Sequence, residues 1–589
     1  MARLTSPGPT MGRLVTDRWI GLGLVVALVT IALLRIALGG WAPLAADDAR
    51  YLHVGLSILG GDGPVNPDGD VFLLRSPVYG LALALGSSVL GGDPIAGARV
   101  VAVALALFGL FGALRLGWLL AGPGGAVGTA FALVGTALLW RLLPSLRIDL
   151  PQTAAVVATL LAVWRPTARR WALGGVLLGI AILIKETALP LLLLPVGLVG
   201  FVPAPRVARL ATVFIGAAIL TAAWWWIVVW LGTGQVFPLN ALSVLEARDV
   251  TAPLRVARSA IPWLVAAVPG CAFVAWRARR ESGARLLLVA GLGLVPAALY
   301  ALRLGLDTRN LVGLAVFSTI AIGVGGASLV AELRDWMATR STSPGRTAGS
   351  VLLAGLAVFA LGMPVIGQRD VGRMAPDHLS DELAGWLAAN VPDGGRVVMA
   401  FRDREVMALR RFGQADVAVL PIARVDPAEA LEAYLWMGLR DRQLFGYRRA
   451  GWTAALTEPA ADVLVLVGPH PFTPSDLIAG PVTTSRLGLS PAASLEDGDD
   501  RAEILRVDAV AAATGARAVP LHLSAAAAMA WLDLVGGDAA TARFAAARPI
   551  VTGDAKTIPG LVQRLGDAAC TAPDEATAIR FGPPGSCPD

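Results

Sequence analysis

The chain carries little charge and almost no lysine. Of its 589 residues, 16% are charged and 56% are hydrophobic, a balance far too apolar for one soluble globule. Lys185 and Lys556 are the only lysines among 49 basic residues. Arginine is therefore the ordinary cation of this chain, and a lysine is slightly more informative. The composition predicts a membrane protein.

The net charge of +6 conceals two halves of opposite sign. Residues 1–371 carry 29 basic and 16 acidic side chains, a net charge of +13, while residues 372–589 carry 20 and 27, a net charge of −7. This split argues against DNA or RNA as a partner, despite the basic isoelectric point. It predicts a basic membrane domain (1–371) and an acidic soluble domain (372–589).

Cofactor motifs are missing from the soluble half, which lacks GxGxxG, a P-loop and any cluster of metal-ligand residues. Short apolar strands alternate there with amphipathic helices, and this pattern predicts a small α/β domain. The Ala-rich stretch after Val510 is expected to form a helical appendage. The predicted strands are 396–401, 415–420, 462–467 and 503–507, and the predicted helices begin near residues 379 and 427.

The fold class predicted for residues 1–371 is a polytopic α-helical membrane protein with about eleven spans and interfacial helices. The apolar segment 77–90 has only 14 residues and is expected to lie at the interface. The predicted spans are 19–38, 96–119, 125–143, 150–164, 171–186, 187–203, 210–231, 259–276, 286–303, 310–330 and 348–367.

Charge sets the expected topology. With the N-terminus inside and Arg35 left out, the cytosolic segments and adjoining span ends hold 16 basic and 4 acidic side chains, while the external segments and adjoining span ends hold 12 of each, as the positive-inside rule requires. The first span is too long for a signal-peptide core and is expected to be an uncleaved anchor. The sequence thus predicts a multi-pass plasma-membrane protein with a cytoplasmic N-terminus and an exported C-terminal domain. Export makes a Cys570–Cys587 disulfide plausible.

The first external loop, residues 39–95, holds the adjacent carboxylates Asp47 and Asp48 just beyond the first span. Adjacent carboxylates near lipid repel each other, which suits one of them to act as a general base. The equally weighted alternative is an acidic pair that caps the following helix. His53, on the same predicted helix, is expected to be a packed or interfacial residue.

Other charges lie at the predicted outer membrane edge, where they are costly unless paired or used. Lys185 and Glu186 could pair with each other or serve a ligand. Arg309 could be a snorkelling anchor or a phosphate ligand. Arg35, near the outer end of the first span, could meet a lipid phosphate, although snorkelling is the favoured interpretation.

Five segments of this membrane half resemble the C-fold (GT-C) membrane glycosyltransferases, and together with their order they cover most of residues 19–330. The superfamily includes protein O-mannosyltransferases, aminoarabinose transferases of lipid A and actinobacterial arabinosyltransferases. The segments are DDARYLHVGLSILGG, RSPVYGLALAL, LRIDLP, ILIKETALPLLLLP and LDTRNL.

The resemblance implies a transferase that uses a polyprenyl-phosphate sugar. Asp47 and Asp48 fall on the acidic pair that holds the catalytic base. Lys185 and Arg309 fall on basic residues expected, together with Arg35, at the donor phosphate, although Asn310 replaces the Tyr of an Arg-Tyr pair. The residues expected to contact substrate are Tyr51, Arg75, Asp149 and Glu186.

The sequence therefore predicts a glycosyltransferase that moves a sugar from a polyprenyl-phosphate donor to a hydroxyl of a glycan, lipid or protein acceptor of the cell envelope. A divalent metal is compatible with this chemistry, and the sequence identifies no particular cofactor. The alternatives are a lipid-linked sugar flippase or transporter, and a non-catalytic envelope assembly protein. A transporter should show internal repeats and polar residues near the membrane midplane, whereas these charges lie at the edge.

Overall fold

The computed structural model describes most of the membrane half and parts of the soluble half. The described residues are 11–42, 44, 46–65, 72, 75–91, 93–233, 267–303, 308–339, 378–401, 416–419, 422–423, 446–447, 461–469, 488–497, 500–508, 522–525, 550–552, 557–566, 569–571 and 578–581, with single residues and pairs between 528 and 544.

The chain divides into two compact units. The first contains Met1–Leu44, Gly55–Pro64 and Phe72–Pro376, and the second contains Ala45–Val54, Val65–Val71 and Asp377–Asp589. The division between Pro376 and Asp377 lies close to residue 371, which separates the basic and acidic halves of the sequence. Part of the first loop, however, groups with the C-terminal residues.

The first unit is helical. Its apolar sequence, with few β-branched runs and many Leu and Ala residues, favours helices whose backbone groups are satisfied internally. The helices are α1 (Met11–Gly39), α2 (Ala46–Gly60), α3 (Val78–Leu90), α4 (Pro94–Val134), α5 (Ala137–Leu142), α6 (Asp149–Val163), α7 (Ala168–Ile184), α8 (Ala204–Thr233), α9 (Ser282–Arg303) and α10 (Val312–Thr339); residues 267–277 are also helical.

Within the described part of the chain, four helices are long and apolar enough to cross a membrane. They are Trp19–Leu38, Pro94–Val134, Ala204–Gly232 and Val312–Asp335. The first agrees with the predicted span 19–38. The predicted span 348–367 lies outside the described residues. The structure supports a polytopic membrane protein.

Two predicted spans differ from the observed elements. The predicted boundary between 119 and 125 is present as a reversal of the chain, with non-helical backbone at Ala121 and Gly122 before Pro123. A Cβ atom added to Gly117 would lie 2.8 Å from the carbonyl oxygen of Gly125, so the two parts of α4 pack against each other. The predicted span 125–143 is wrong, because Gly135 and Thr136 separate α4 from α5. The predicted span 187–203 is largely a 3₁₀ helix, Glu186–Leu198, whose two internal prolines remove donors that an α-helix needs.

Small residues let the membrane helices approach closely. A Cβ atom added to Gly128 of α4 would lie 2.6 Å from the carbonyl oxygen of Gly323 in α10, and one added to Gly109 would lie 2.9 Å from Ala154 Cα in α6. Contact at this distance is typical of helices that pack within lipid. The α4 segment thereby packs closely against α10 and against α6, on which Asp149 lies.

In the residues that the structure describes, the second unit contains α11 (His378–Asn390), α12 (Thr557–Leu565) and eleven strands. Its five-stranded sheet has the order β2-β1-β5-β7-β6, with β1 parallel to β2 and β5, and with β7 antiparallel to β5 and β6. The strands of this sheet are β1 (Arg396–Phe401), β2 (Asp416–Val419), β5 (Val463–Pro469), β6 (Leu489–Asp497) and β7 (Asp500–Val507).

The four predicted strands are confirmed, and β6 was missed because its polar residues weaken the alternation. The Ala-rich stretch is not simply helical, since a four-stranded sheet, β10-β11-β9-β8, includes residues 522–524 and 550–552. The predicted helix 427–439 lies outside the described residues. The remaining strands are β3 (Ile422–Ala423), β4 (Gly446–Tyr447), β8 (His522–Ser524), β9 (Ile550–Thr552), β10 (Ala569–Thr571) and β11 (Ala578–Phe581).

Candidate functional site

The acidic pair lies in the first turn of α2. The helix begins at Ala46, so Asp47 and Asp48 lie within its first turn. Asp48 is 1% exposed, while Asp47 is half-buried. The partial positive charge of a helix N-terminus favours carboxylates at this position. The turn therefore holds one carboxylate out of solvent and a second beside it.

Aromatic side chains follow the acidic pair on the same helix. Tyr51, three residues after Asp48 and four after Asp47, is 6% exposed, and His53 is 9% exposed. Residues three or four apart lie on one helical face, so Tyr51 shares a face with the pair. The expectation that His53 is packed is confirmed by its burial.

The second polar group of interest is a buried ion pair in the first unit. Asp149 is the first residue of α6, and Lys185 lies between α7 and the 3₁₀ helix in an extended conformation. Lys185 Nζ lies 2.6 Å from Asp149 Oδ1, and the two residues are 6% and 2% exposed. The alternative in which Lys185 pairs with its neighbour Glu186 is wrong, because the extended backbone turns the lysine toward α6.

Gln152, which the sequence analysis missed, also fixes the lysine. One helical turn after Asp149, its side-chain amide donates to the carbonyl oxygen of Lys185 at 2.7 Å and to Thr187 Oγ1 at 2.8 Å. The start of α6 thus holds both the side chain and the backbone of Lys185. The sequence did contain a signal for this role. Gln152 is a polar residue in an otherwise apolar helix, and it lies one turn after the acidic residue Asp149.

The remaining predicted cations and acids occupy separate elements. Arg35 is 9% exposed and lies on the face of α1 that also buries Leu28 and Ala32. Whether Arg35 snorkels or meets a lipid phosphate stays a prediction. Arg309 lies in a short 3₁₀ helix, Thr308–Leu311, and is half-buried.

Three predictions about sites stay predictions. Arg75 and Glu186 are half-buried, and their roles toward substrate are not tested by the geometry. Cys570 lies in β10, where it pairs in register with Arg580 of β11, but Cys587 lies outside the described residues. Over the described ranges, no group of three His, Cys, Asp or Glu side chains is placed to bind a metal.

No protein-family model and no curated protein sequence matches the chain significantly. Solved structures do match it. The crystal structure of ArnT from Cupriavidus metallidurans bound to undecaprenyl phosphate aligns with a TM-score of 0.55 and 14% identity over 82% of this chain and 98% of that one.

Two further structures align with the chain. The apo structure of the same ArnT gives a TM-score of 0.54 and 14% identity over 85% of this chain and 99% of that one. The apo oligosaccharyltransferase of Archaeoglobus fulgidus gives a TM-score of 0.47 and 13% identity over 76% and 69%. The alignment with ArnT spans nearly the whole of that protein and confirms the resemblance in fold. This chain has the GT-C fold of membrane glycosyltransferases.

Proposed function

We propose that the protein is a glycosyltransferase that moves a sugar from a polyprenyl-phosphate donor to a hydroxyl of a cell-envelope acceptor on the outer face of the membrane. The observation that carries the proposal is the buried carboxylate of Asp48 at the start of α2, in a chain whose fold is that of ArnT. ArnT has been crystallised with undecaprenyl phosphate, which makes a polyprenyl phosphate the natural candidate for the carrier here.

Asp48 is the proposed general base, with Asp47 as the second candidate. The base takes the proton of the acceptor hydroxyl as its oxygen attacks the anomeric carbon of the donor. The bond from that carbon to the phosphate oxygen breaks, and the polyprenyl phosphate leaves with the electron pair. Asp48 is favoured because it is 1% exposed, whereas Asp47 is half-buried. Tyr51, on the same face, is a candidate for substrate contact.

Lys185 and Arg309 are the proposed cations for the donor phosphate. An ammonium group has three N–H donors, and Asp149 Oδ1 accepts one of them. Asp149 and Gln152 then position the lysine, whose charge stabilises the negative charge that develops on the departing phosphate. Arg75 and Glu186 are proposed to contact the substrate.

The proposed topology has a cytoplasmic N-terminus, about eleven spans and an exported C-terminal domain. Arg206 donates to the carbonyl oxygen of Pro166 at 2.8 Å and joins the loop after α6 to the start of α8, which agrees with both segments lying on one side of the membrane. Residues 45–54 group with residues 377–589, which agrees with both segments lying on the external side.

The test is a transfer assay with purified protein and a radiolabelled polyprenyl-phosphate sugar. Asp48→Asn keeps the size of the side chain but removes the proton acceptor, and it should lower turnover by roughly 10²- to 10⁴-fold. Asp62→Asn is the matched control, because Asp62 is an exposed acid just beyond the same helix.

Both single variants, Asp47→Asn and Asp48→Asn, should be measured in protein that inserts normally. If both transfer sugar at the wild-type rate, the acidic pair serves only the helix terminus and the proposed base is wrong. A wild-type protein that transfers no sugar from any polyprenyl-phosphate donor would overturn the proposed reaction itself.

A further inference from the structure

The guanidinium group of Arg35 lies in a membrane helix without a visible counter-charge. Arg35 is 9% exposed, and its Nε and Nη2 atoms are enclosed by protein with no hydrogen-bond partner in the described part of the chain. A buried ion without a partner is unfavourable, and within a membrane such a residue usually marks a functional site. An anion bound at this position would therefore stabilise the buried guanidinium.

Neither α1 beyond Arg18 nor its neighbour α4 supplies a carboxylate. The α1 helix packs against α4, and residues 18–46 and 94–148 contain neither Asp nor Glu. Those two ranges include the described part of α1 from Arg18 onward, all of α4 and α5, and the loop before α6. An anion that neutralises Arg35 from this side must therefore come from outside these helices.

The depth of Arg35 limits the kind of anion. Arg35 is three residues before Leu38, where the span ends, so at 1.5 Å per residue its Cα lies roughly 4–5 Å inside the span. Leu38, one helical turn nearer the end, is 75% exposed, and this face therefore opens toward lipid just above the guanidinium. A phosphate attached to a lipid occupies this depth, whereas a small water-soluble anion has to leave water to reach it.

A second arginine contacts the turn that follows α1. Arg99 of α4 donates through Nη2 to the carbonyl oxygen of Ala42 at 3.0 Å, and its guanidinium lies 5.2 Å from the centre of the Trp41 ring. These contacts hold the outer end of α1 against α4.

We infer that Arg35 binds the phosphate group of a lipid at the outer end of α1. The guanidinium offers paired N–H donors that match two phosphate oxygens. The phosphate could belong to a polyprenyl phosphate or to the head group of a membrane phospholipid. The choice of the polyprenyl carrier rests on the proposed function, but the need for a lipid phosphate does not.

The binding experiment uses full-length protein purified in a maltoside detergent, which contains no phosphorus. Affinities are measured for decaprenyl phosphate, for phosphatidylglycerol and for decaprenol, which lacks the phosphate. Arg35→Gln should weaken binding of a lipid phosphate by roughly ten- to hundredfold, the usual loss for a charge-assisted hydrogen-bonding group. Arg35→Lys should retain part of the affinity, and decaprenol binding should not change.

Arg115→Gln is the matched control, because it removes the same charge from an exposed position of α4. A loss confined to decaprenyl phosphate identifies the carrier as the ligand, and an equal loss for phosphatidylglycerol identifies a phospholipid head group. If Arg35→Gln binds both lipids as tightly as the wild-type protein, the inference is wrong.

Thermal unfolding gives a second readout that a purely structural arginine would not produce. Without phospholipid, Arg35→Met should unfold at a higher temperature than the wild-type protein, since an uncompensated buried charge has been removed. Added decaprenyl phosphate should stabilise the wild-type protein and not the variant. A lower unfolding temperature for Arg35→Met in the lipid-free sample would overturn the inference. Both readouts measure binding, so they stand even if the protein transfers no sugar.

Discussion

Removing either partner of the Lys185–Asp149 pair should destabilise the protein strongly. At an effective dielectric constant of about 20, unit charges 2.6 Å apart attract each other by about 6 kcal/mol. The cost of taking both ions out of water is of similar size, so the intact pair contributes little net stability. A single partner left behind keeps its cost without the attraction. Asp149→Asn and Lys185→Met should therefore each cost about 3–5 kcal/mol.

The double variant separates stability from chemistry. Lys185→Met combined with Asp149→Asn removes both charges of this pair, and its stability should return close to that of the wild-type protein. Its transfer activity should stay low, because the cation proposed for the donor phosphate is missing. Equilibrium unfolding in mixed detergent micelles would measure the stabilities, and the radiolabelled transfer assay would measure the activities.

Two results would refute this reasoning. If each single variant cost less than about 1 kcal/mol, water would be compensating the remaining charge and the site would not be enclosed. If the double variant transferred sugar at the wild-type rate, Lys185 would be a structural partner of Asp149 and not a phosphate ligand.

Three other predictions concern packing and topology. Gln152→Leu removes two donors to the Lys185 region and should cost about 1–3 kcal/mol in unfolding measurements, and an unchanged stability would contradict it. Gly55→Val should cost about 3 kcal/mol or more, because a Cβ atom at Gly55 would lie 2.0 Å from Gly80 O; Gly60→Val, at the exposed end of α2, is the control. An impermeant thiol reagent should label a cysteine introduced at Asp62 and not one at Arg169, and labelling of the latter from outside would reverse the topology.

The sequence alone was sufficient to predict the class of protein and much of its local structure. Run length predicted the first span, because about twenty apolar residues match the thickness of a bilayer. Period-two alternation predicted β1, β2, β5 and β7 to within a few residues. The resemblance to the GT-C glycosyltransferases was carried by short motifs whose charges stand out against an apolar background.

Pairing and orientation were decided only by the tertiary structure. Lys185 and Glu186 are neighbours in sequence, yet the lysine contacts Asp149, 36 residues earlier, because the backbone changes from α7 to a 3₁₀ helix at that point. Gln152 became relevant only once α6 was seen to hold the Lys185 carbonyl group. The apolar run around Arg35 predicts that this residue lies in a membrane helix. Which face of α1 packs against α4 depends on the whole bundle, however, and this packing buries the guanidinium group of Arg35.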